Sequence, residues 1–287
     1  MADGHLLLAA VVLLPVGALF ALSVVGAARW RHATRRLMRR LDAARRPIKP
    51  AHFDARELED LPAPVQRYFR TVLVNGQAMV TSVYLGQQGR IDLGETEPRW
   101  KPFTATQRIT TQAPGFVWDS SVALLPGLKV RVHDAYLAGS GILRPAALGL
   151  FTLGTPPLGD ELAEGELMRF LAEAVWYPTA LLPSQGVAWT PVDARSARAT
   201  LIDGGQRVNL LFRFGGDGLI ESVRADARGR TEGGKLVPTP WEGRWWNATA
   251  YNGMLLPMDA EVSWHLPAGL RAYWRGTVTH LTCEFET

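Results

Sequence analysis

The sequence predicts an α+β protein: an N-terminal transmembrane helix, then a curled, largely antiparallel sheet of half-barrel type packed on one or two helices. Three observations carry this expectation. Residues 6–28 contain no charge. From Ala78 onward the apolar pattern has period two and is punctuated by turn residues. Inside that strand series, Asp160 to Trp176 switches to helical spacing.

The uncharged run LLLAAVVLLPVGALFALSVVGAA is 23 residues long. At about 1.5 Å per residue it spans a hydrocarbon core of roughly 30 Å with some tilt. A cleaved signal peptide needs a basic n-region, but only Asp3 and His5 precede the run. Residues 1–28 are therefore expected to be a retained anchor. Arg29, Arg31, Arg35, Arg36, Arg39 and Arg40 follow the span directly. The positive-inside rule then places a single-pass protein in the inner (plasma) membrane with its body in the cytoplasm. Arg29–Arg46 is expected to lie on anionic headgroups, with Leu37, Met38 and Leu41 as its apolar edge. The lipid bilayer is thus an expected partner through residues 6–28 and this basic segment. Residues 29–50 form the juxtamembrane segment and linker, ending in Pro47 and Pro50, and residues 51–287 form a single α+β domain.

Charge is unevenly placed. Residues 1–50 hold nine Lys/Arg against Asp3 and Asp42, a net of +7, from chain totals of 31 basic and 27 acidic residues. The remainder holds 22 basic and 25 acidic residues, a net of −3. A slightly acidic body excludes nucleic acid as a partner. The single cysteine, Cys283, excludes an intrachain disulfide and a cysteine-rich zinc site.

A helix is expected within 56–74, regular from Pro64, burying Leu58, Leu61, Val65, Tyr68, Phe69 and Val72. Strands are expected near 78–85, 99–111, 115–124, 128–138, 186–191, 195–203, 206–214, 218–229, 241–251, 254–266 and 271–285. Asp203-Gly204-Gly205, Gly215-Gly216-Asp217-Gly218 and Tyr251-Asn252-Gly253 supply hairpin turns. Residues 143–158, with Pro145, Pro156 and Pro157, look like a loop.

In the helix of 160–176, Leu162, Leu167, Phe170, Leu171, Ala174 and Val175 form the apolar stripe. Asp160, Glu161, Glu164 and Glu166 suit the positive end of the helix dipole. Arg169 is spaced to pair with Glu166 and Glu173 along one face. Pro178 stops the helix near Trp176. A sheet of about ten strands curls, and this helix is the natural filler of its concave side.

Familiar chemistry is sparse. His133 and Asp134 face opposite ways on a strand, as do His280 and Cys283, so neither is a local catalytic or metal pair. Asp134 and Tyr136 share a face, and a buried Asp134 needs a donor such as Arg169 or Arg131. Gly139-Ser140-Gly141 is a turn rather than a nucleophile elbow, and no glycine-rich phosphate loop occurs. No catalytic residue, metal ligand or cofactor is assigned. Nine of the ten tryptophans lie beyond residue 99, more than a plain core needs, which hints at an apolar groove.

Several blocks together carry a resemblance. They are Phe103–Gln107, Pro114–Trp118, Asp134-Ala135-Tyr136 with Gly139 and Gly141, and Arg169–Glu173 followed by Trp176–Pro183. The chain from Leu61 onward resembles a bacterial, membrane-anchored family, the domain of unknown function 6544 family. That family implies no catalytic residues. The layout is also similar to half-barrels that carry lipids or lipoproteins in bacterial envelopes, though those work outside the cytoplasm. The expected function is a membrane-anchored binding module for an apolar or lipid-like ligand. Its expected contacts are Trp118, Asp134, Tyr136, Arg169, Glu173, Trp176 and Tyr177. The alternatives are a scaffold or assembly protein for another membrane protein, and a carboxylate-dependent enzyme using Asp134 and Glu173.

Overall fold

Turn chemistry and period-two patterning build the sheet one hairpin at a time. The computed structural model describes residues 2–94, 96–125, 128–154 and 159–286, and their side chains except at 2–16, 18 and 19. Among the described residues, thirteen antiparallel strands form one curled sheet. The first run is β1 (Val80–Asp92), β2 (Trp100–Thr110), β3 (Gly115–Leu125), β4 (Leu128–Leu137), β5 (Ser140–Ala147) and β6 (Phe151–Thr152). The second is β7 (Ala188–Asp193), β8 (Ser196–Asp203), β9 (Gln206–Phe214), β10 (Ile220–Glu232), β11 (Lys235–Tyr251), β12 (Met254–Leu266) and β13 (Gly269–Phe285).

Each run is a meander, and the two join where β1 pairs with β13. The first meander therefore runs outward to an edge at β6, and the second starts at the opposite edge with β7. The chain must cross between those edges. Helix α3 (Asp160–Glu173) makes that crossing, packing on β5 near one edge and β9 near the other. Two single 3₁₀ turns, Ala174–Trp176 and Pro178–Leu181, continue it. Its residues Leu162, Leu167, Phe170 and Leu171 are buried. Burying each side chain of this size contributes about 1.5–3 kcal/mol. Helix α2 (Ala63–Val72) buries Val65, Tyr68, Phe69 and Val72 against the same core.

The flanks of the curl meet at two hairpin tips. Tyr136 at the end of β4 donates its hydroxyl to the Asp203 carboxylate at 2.8 Å. Gly139 and Gly204 touch there, both with positive φ. A Cβ on Gly204 would come 2.2 Å from Gly139 Cα, so glycine is sterically required.

Helix α1 (Ala2–Ala43) docks on the outer face of the sheet. Trp30 is buried, stacks on His133 at 3.8 Å, and donates its indole N–H to Asp119 at 2.8 Å. Thr34 donates to Asp119 at 2.7 Å and lies 2.8 Å from His133 Nε2. Burial pushes the His133 pKa down to about 4, with Asp119 opposing and Arg144 and Arg131 adding to the fall.

This docking revises several expectations. Among the described residues no helix is long and apolar enough to cross a membrane. The single-pass anchor, the plasma-membrane location and the cytoplasmic body inferred from it are overturned. Of the proposed span, the side chains of 6–16, 18 and 19 lie outside the described residues. Its end is taken up by the protein: a Cβ on Gly26 would meet the Leu148 carbonyl oxygen at 2.1 Å. The apolar edge meant for headgroups, Leu37, Met38 and Leu41, packs instead on Val117, Ala135 and Leu137. Arg108 binds Asp42 at 3.1 Å, and Arg45 binds Glu284 at 2.9 Å.

Of the loop expected at 143–158, residues 143–147 belong to β5 and 151–152 form β6; residues 155–158 lie outside the described residues. Pro145 is tolerated because β5 pairs along its length with β4 but through two residues with β6, so the missing N–H falls near an edge.

Gly204 and Gly205 both have positive φ, but a Cβ on Gly205 has open space. Gly205→Ala is expected to cost about 1 kcal/mol of backbone strain. Gly204→Ala is expected to cost about 1–3 kcal/mol more through overpacking at the seam. Equal thermal midpoints for the two variants would contradict the seam.

Candidate functional site

The register places one polar row beneath α3. Gln107, Trp118, Asp134 and Leu143 are cross-strand partners on β2, β3, β4 and β5. Asp134 alternates with His133, so one side chain faces the helix and the other faces α1. Arg169 comes down from α3 onto this row. It donates to Asp134 at 2.6 Å and to Glu173, one turn along its own helix, at 2.8 Å. Its guanidinium lies 4.8 Å from the Phe116 ring centroid and 5.2 Å from that of Trp118. Burial opposes the Arg169 charge, but Glu173, Asp134 and Glu166 outweigh it and hold the pKa above its ordinary value. Gln107 donates to the other oxygen of Glu173 at 2.6 Å, and Trp118 donates to Gln87 at 2.8 Å.

Arg228 of β10 approaches the first half of α3. It donates to the Gly165 carbonyl at 3.1 Å and lies 3.5 Å from Glu166 Oε1 and from the Tyr273 hydroxyl. Glu166 is only 4% exposed. Burial, reinforced by the neighbouring Asp134 carboxylate, pushes its pKa well above the usual carboxyl range, against the pull of Arg228 and Arg169. Among the described residues no donor reaches Asp134 Oδ1 or Glu166 Oε2. A hydrogen-bonding interaction with Asp134 also favours the protonated form of Glu166.

Above this charged floor lies a cavity of about 300 Å³ between α3 and the sheet. Among the described residues its walls include Trp118, Trp176, Trp241, Trp245, Trp264 and Trp274, with Ile91, Leu143, Leu162 and Val262 between them. Trp176 is fixed by an N–H bond to the Pro257 carbonyl at 2.8 Å. Trp241 donates to the Tyr273 hydroxyl at 3.0 Å. Trp245 Nε1 is buried and meets no acceptor among the described residues. Two glycines make room for the rings: a Cβ on Gly243 or Gly276 would lie 2.4 Å from Trp245 or Trp274. Trp245 also walls a second cleft of about 500 Å³ beside Tyr68, Val72 and Leu255.

Of the residues expected to contact a ligand, Trp118, Asp134, Arg169, Glu173 and Trp176 line the cavity. Tyr136 does not, being spent on the Asp203 seam, and Tyr177 is core, donating to the Phe170 carbonyl at 2.7 Å. Glu166, Arg228, Trp241, Trp245, Trp264, Tyr273 and Trp274 also line it and are not among those expected contacts. Glu166, expected at the positive end of the helix dipole and as a partner of Arg169, is buried and also meets Arg228. Among the described residues no cluster of His, Cys, Asp and Glu is arranged to hold a metal ion.

Fold and site together define an α+β protein with a helix-crossed, curled sheet and a tryptophan-walled cavity. By the family model that matches residues 59–283, the chain belongs to the family of unknown function DUF6920. This corrects the 6544 family suggested by short blocks, which lie within a span whose full-length match is to another family. The comparison with curated proteins finds no match. Among solved structures, a LolA-superfamily protein from Nitrosomonas europaea shows 10% identity and a TM-score of 0.35, covering 77% of this chain and 92% of that one. A β-barrel-like protein of the domain of unknown function DUF1849 from Brucella abortus shows 9% identity and a TM-score of 0.18, covering 72% and 98%. At such overlap neither likeness carries weight for fold or ligand.

Arg169→Ala leaves two poorly exposed carboxylates without their cation and is expected to cost about 3–5 kcal/mol in denaturant unfolding. A loss below 1 kcal/mol would contradict the clamp.

Glu166 makes a second prediction. Its folded pKa lies above the unfolded value, so its contribution is fully present below the unfolded pKa and is lost as pH rises towards the folded one. Glu166→Gln should therefore gain stability relative to the parent as pH rises above 4.5, the ordinary carboxyl value. Parallel pH profiles of the two proteins would exclude a buried, protonated Glu166.

Proposed function

We propose that this protein binds an apolar small molecule or lipid-like chain in the cavity between α3 and the sheet, without chemically altering it. The observation that carries the reading is the lining: six tryptophans around about 300 Å³, with partnerless polar atoms at one end. Ligand pockets combine this kind of apolar wall with a few convergent polar groups, and about 300 Å³ is at the small end of their range. The cavity suits one short chain or a fused-ring body rather than a diacyl lipid. Glu173 and Asp134, expected as an acid and base, instead share Arg169, which gives them a structural task.

A specific observation favours a second reading, acid–base catalysis. Glu166, buried and with its pKa raised, sits beside the Asp134 carboxylate at a cavity. Conversion of a bound ligand by the parent but not by Glu166→Gln would favour it.

The binding reading is tested with N-phenyl-1-naphthylamine, a non-basic apolar fluorophore. Saturable, one-to-one enhancement of its fluorescence is expected. Leu143→Trp, which fills the cavity beside Asp134, should weaken it at least ~10-fold while melting as cooperatively as the parent. Undiminished binding by a folded Leu143→Trp protein would refute the site.

A further inference from the structure

We propose that the ligand is an apolar amine whose single ammonium group is held between Asp134 and Glu166. This deepens the binding reading above and depends on it. The two carboxyl oxygens that find no donor among the described residues, Asp134 Oδ1 and Glu166 Oε2, belong to cavity-lining residues. Glu166 is 4% exposed, so no bulk water compensates its free oxygen. Both atoms are acceptors, and the chemistry they lack is a donor.

The cations nearby are already directed elsewhere. Arg169 is spent on Asp134 and Glu173, and Arg228 on Gly165, Glu166 and Tyr273. The groups facing Glu166 are Asp134 from β4, Arg169 on its own helix, Arg228 from β10 and Tyr273 from β13. With every acid of the cavity ionised, Asp134, Glu166 and Glu173 outnumber Arg169 and Arg228 by one negative charge. In the empty cavity a proton on Glu166 removes that excess. An ammonium removes it equally well and donates to both free oxygens. A fatty carboxylate would double the excess, and an alcohol would leave the proton in place.

The walls fit the same head, since indole faces attract cations in desolvated sites. Arg228 over Trp241, at 5.3 Å, already shows this contact inside the cavity. Binding is then an exchange. The Glu166 carboxyl gives its proton to solvent as the ligand's ammonium takes its place, so net charge is conserved in the site and one proton leaves.

The test uses the full chain and a matched set of eight-carbon probes: octylamine, octanol and octanoate, competing with N-phenyl-1-naphthylamine at pH 7. Octylamine should displace the fluorophore at a concentration at least ~10-fold below octanol, with octanoate weakest, as charge-assisted bonds to buried carboxylates require. Calorimetry in two buffers of different ionisation enthalpy should show net proton release with octylamine and none with octanol. Glu166→Gln, which copies the protonated acid and so keeps the fold, should lose both the preference and the proton release yet still bind octanol. Asp134→Asn should weaken octylamine in the same way.

Equal competition by all three probes, or an undiminished amine preference in Glu166→Gln, would overturn the ammonium assignment and leave the apolar site standing. Failure of the fluorophore together with no calorimetric uptake of octylamine would remove both.

Discussion

Arg169 ties helix α3 to the sheet that surrounds it. It reaches Asp134 on β4 and Glu173 on its own last turn, and it rests on the rings of Phe116 and Trp118. A guanidinium so placed is expensive to bury unless its donors are met with good geometry. Here two carboxylates meet it, and Gln107 satisfies the far side of one of them. The helix therefore has one rotation and one depth at which its charges are paired. That fixed height above the sheet leaves a space beneath the first half of the helix, where Arg228 lies 3.5 Å from Glu166.

Topology explains why a helix is there at all. Two meanders joined through β1 and β13 leave their free edges at β6 and β7. A chain passing from one edge to the other without a long outer loop must cross the concave side. Crossing as a helix satisfies its own backbone donors and acceptors, which an extended strand in that position could not do. The curl then closes at the Gly139–Gly204 contact and the Tyr136–Asp203 bond. Stability and cavity thus have one origin: the sheet bends because it wraps a rod, and the rod does not fill everything the bend encloses.

Much of this was legible in the sequence. Period-two runs and glycine turns located most strands, and the switch to helical spacing at Asp160 located α3. The alternation of His133 with Asp134 correctly separated an outer face from an inner one. Arg169 and Glu173 were readable as an i,i+4 pair, and Asp134 as an acid in need of a donor. Other features depend on contacts that no local pattern encodes. Glu166 looks like a first-turn acid until Arg228, 62 residues away, is brought beside it. Trp241, Trp264 and Trp274 become one wall only through strand register. Gly243 and Gly276 each clear space for a tryptophan ring, which no local pattern announces. Tyr136 and Tyr177 share strand and helix with the site but are committed to the seam and the core. The uncharged N-terminal run carried the largest misreading. Hydropathy alone could not reveal that Gly26, Trp30 and Leu41 pack against Leu148, His133 and Val117.

The central claim is that α3 is locked inside the curled sheet above an occupiable space. Backbone hydrogen exchange with N-phenyl-1-naphthylamine absent and present tests it most directly. The account predicts that amides 165–173 exchange as slowly as those of β3 and β9. It also predicts that the fluorophore slows exchange further in α3, β12 and β13 and leaves α1 unchanged. Exchange of α3 within seconds, or ligand protection confined to the outer face under α1, would contradict it.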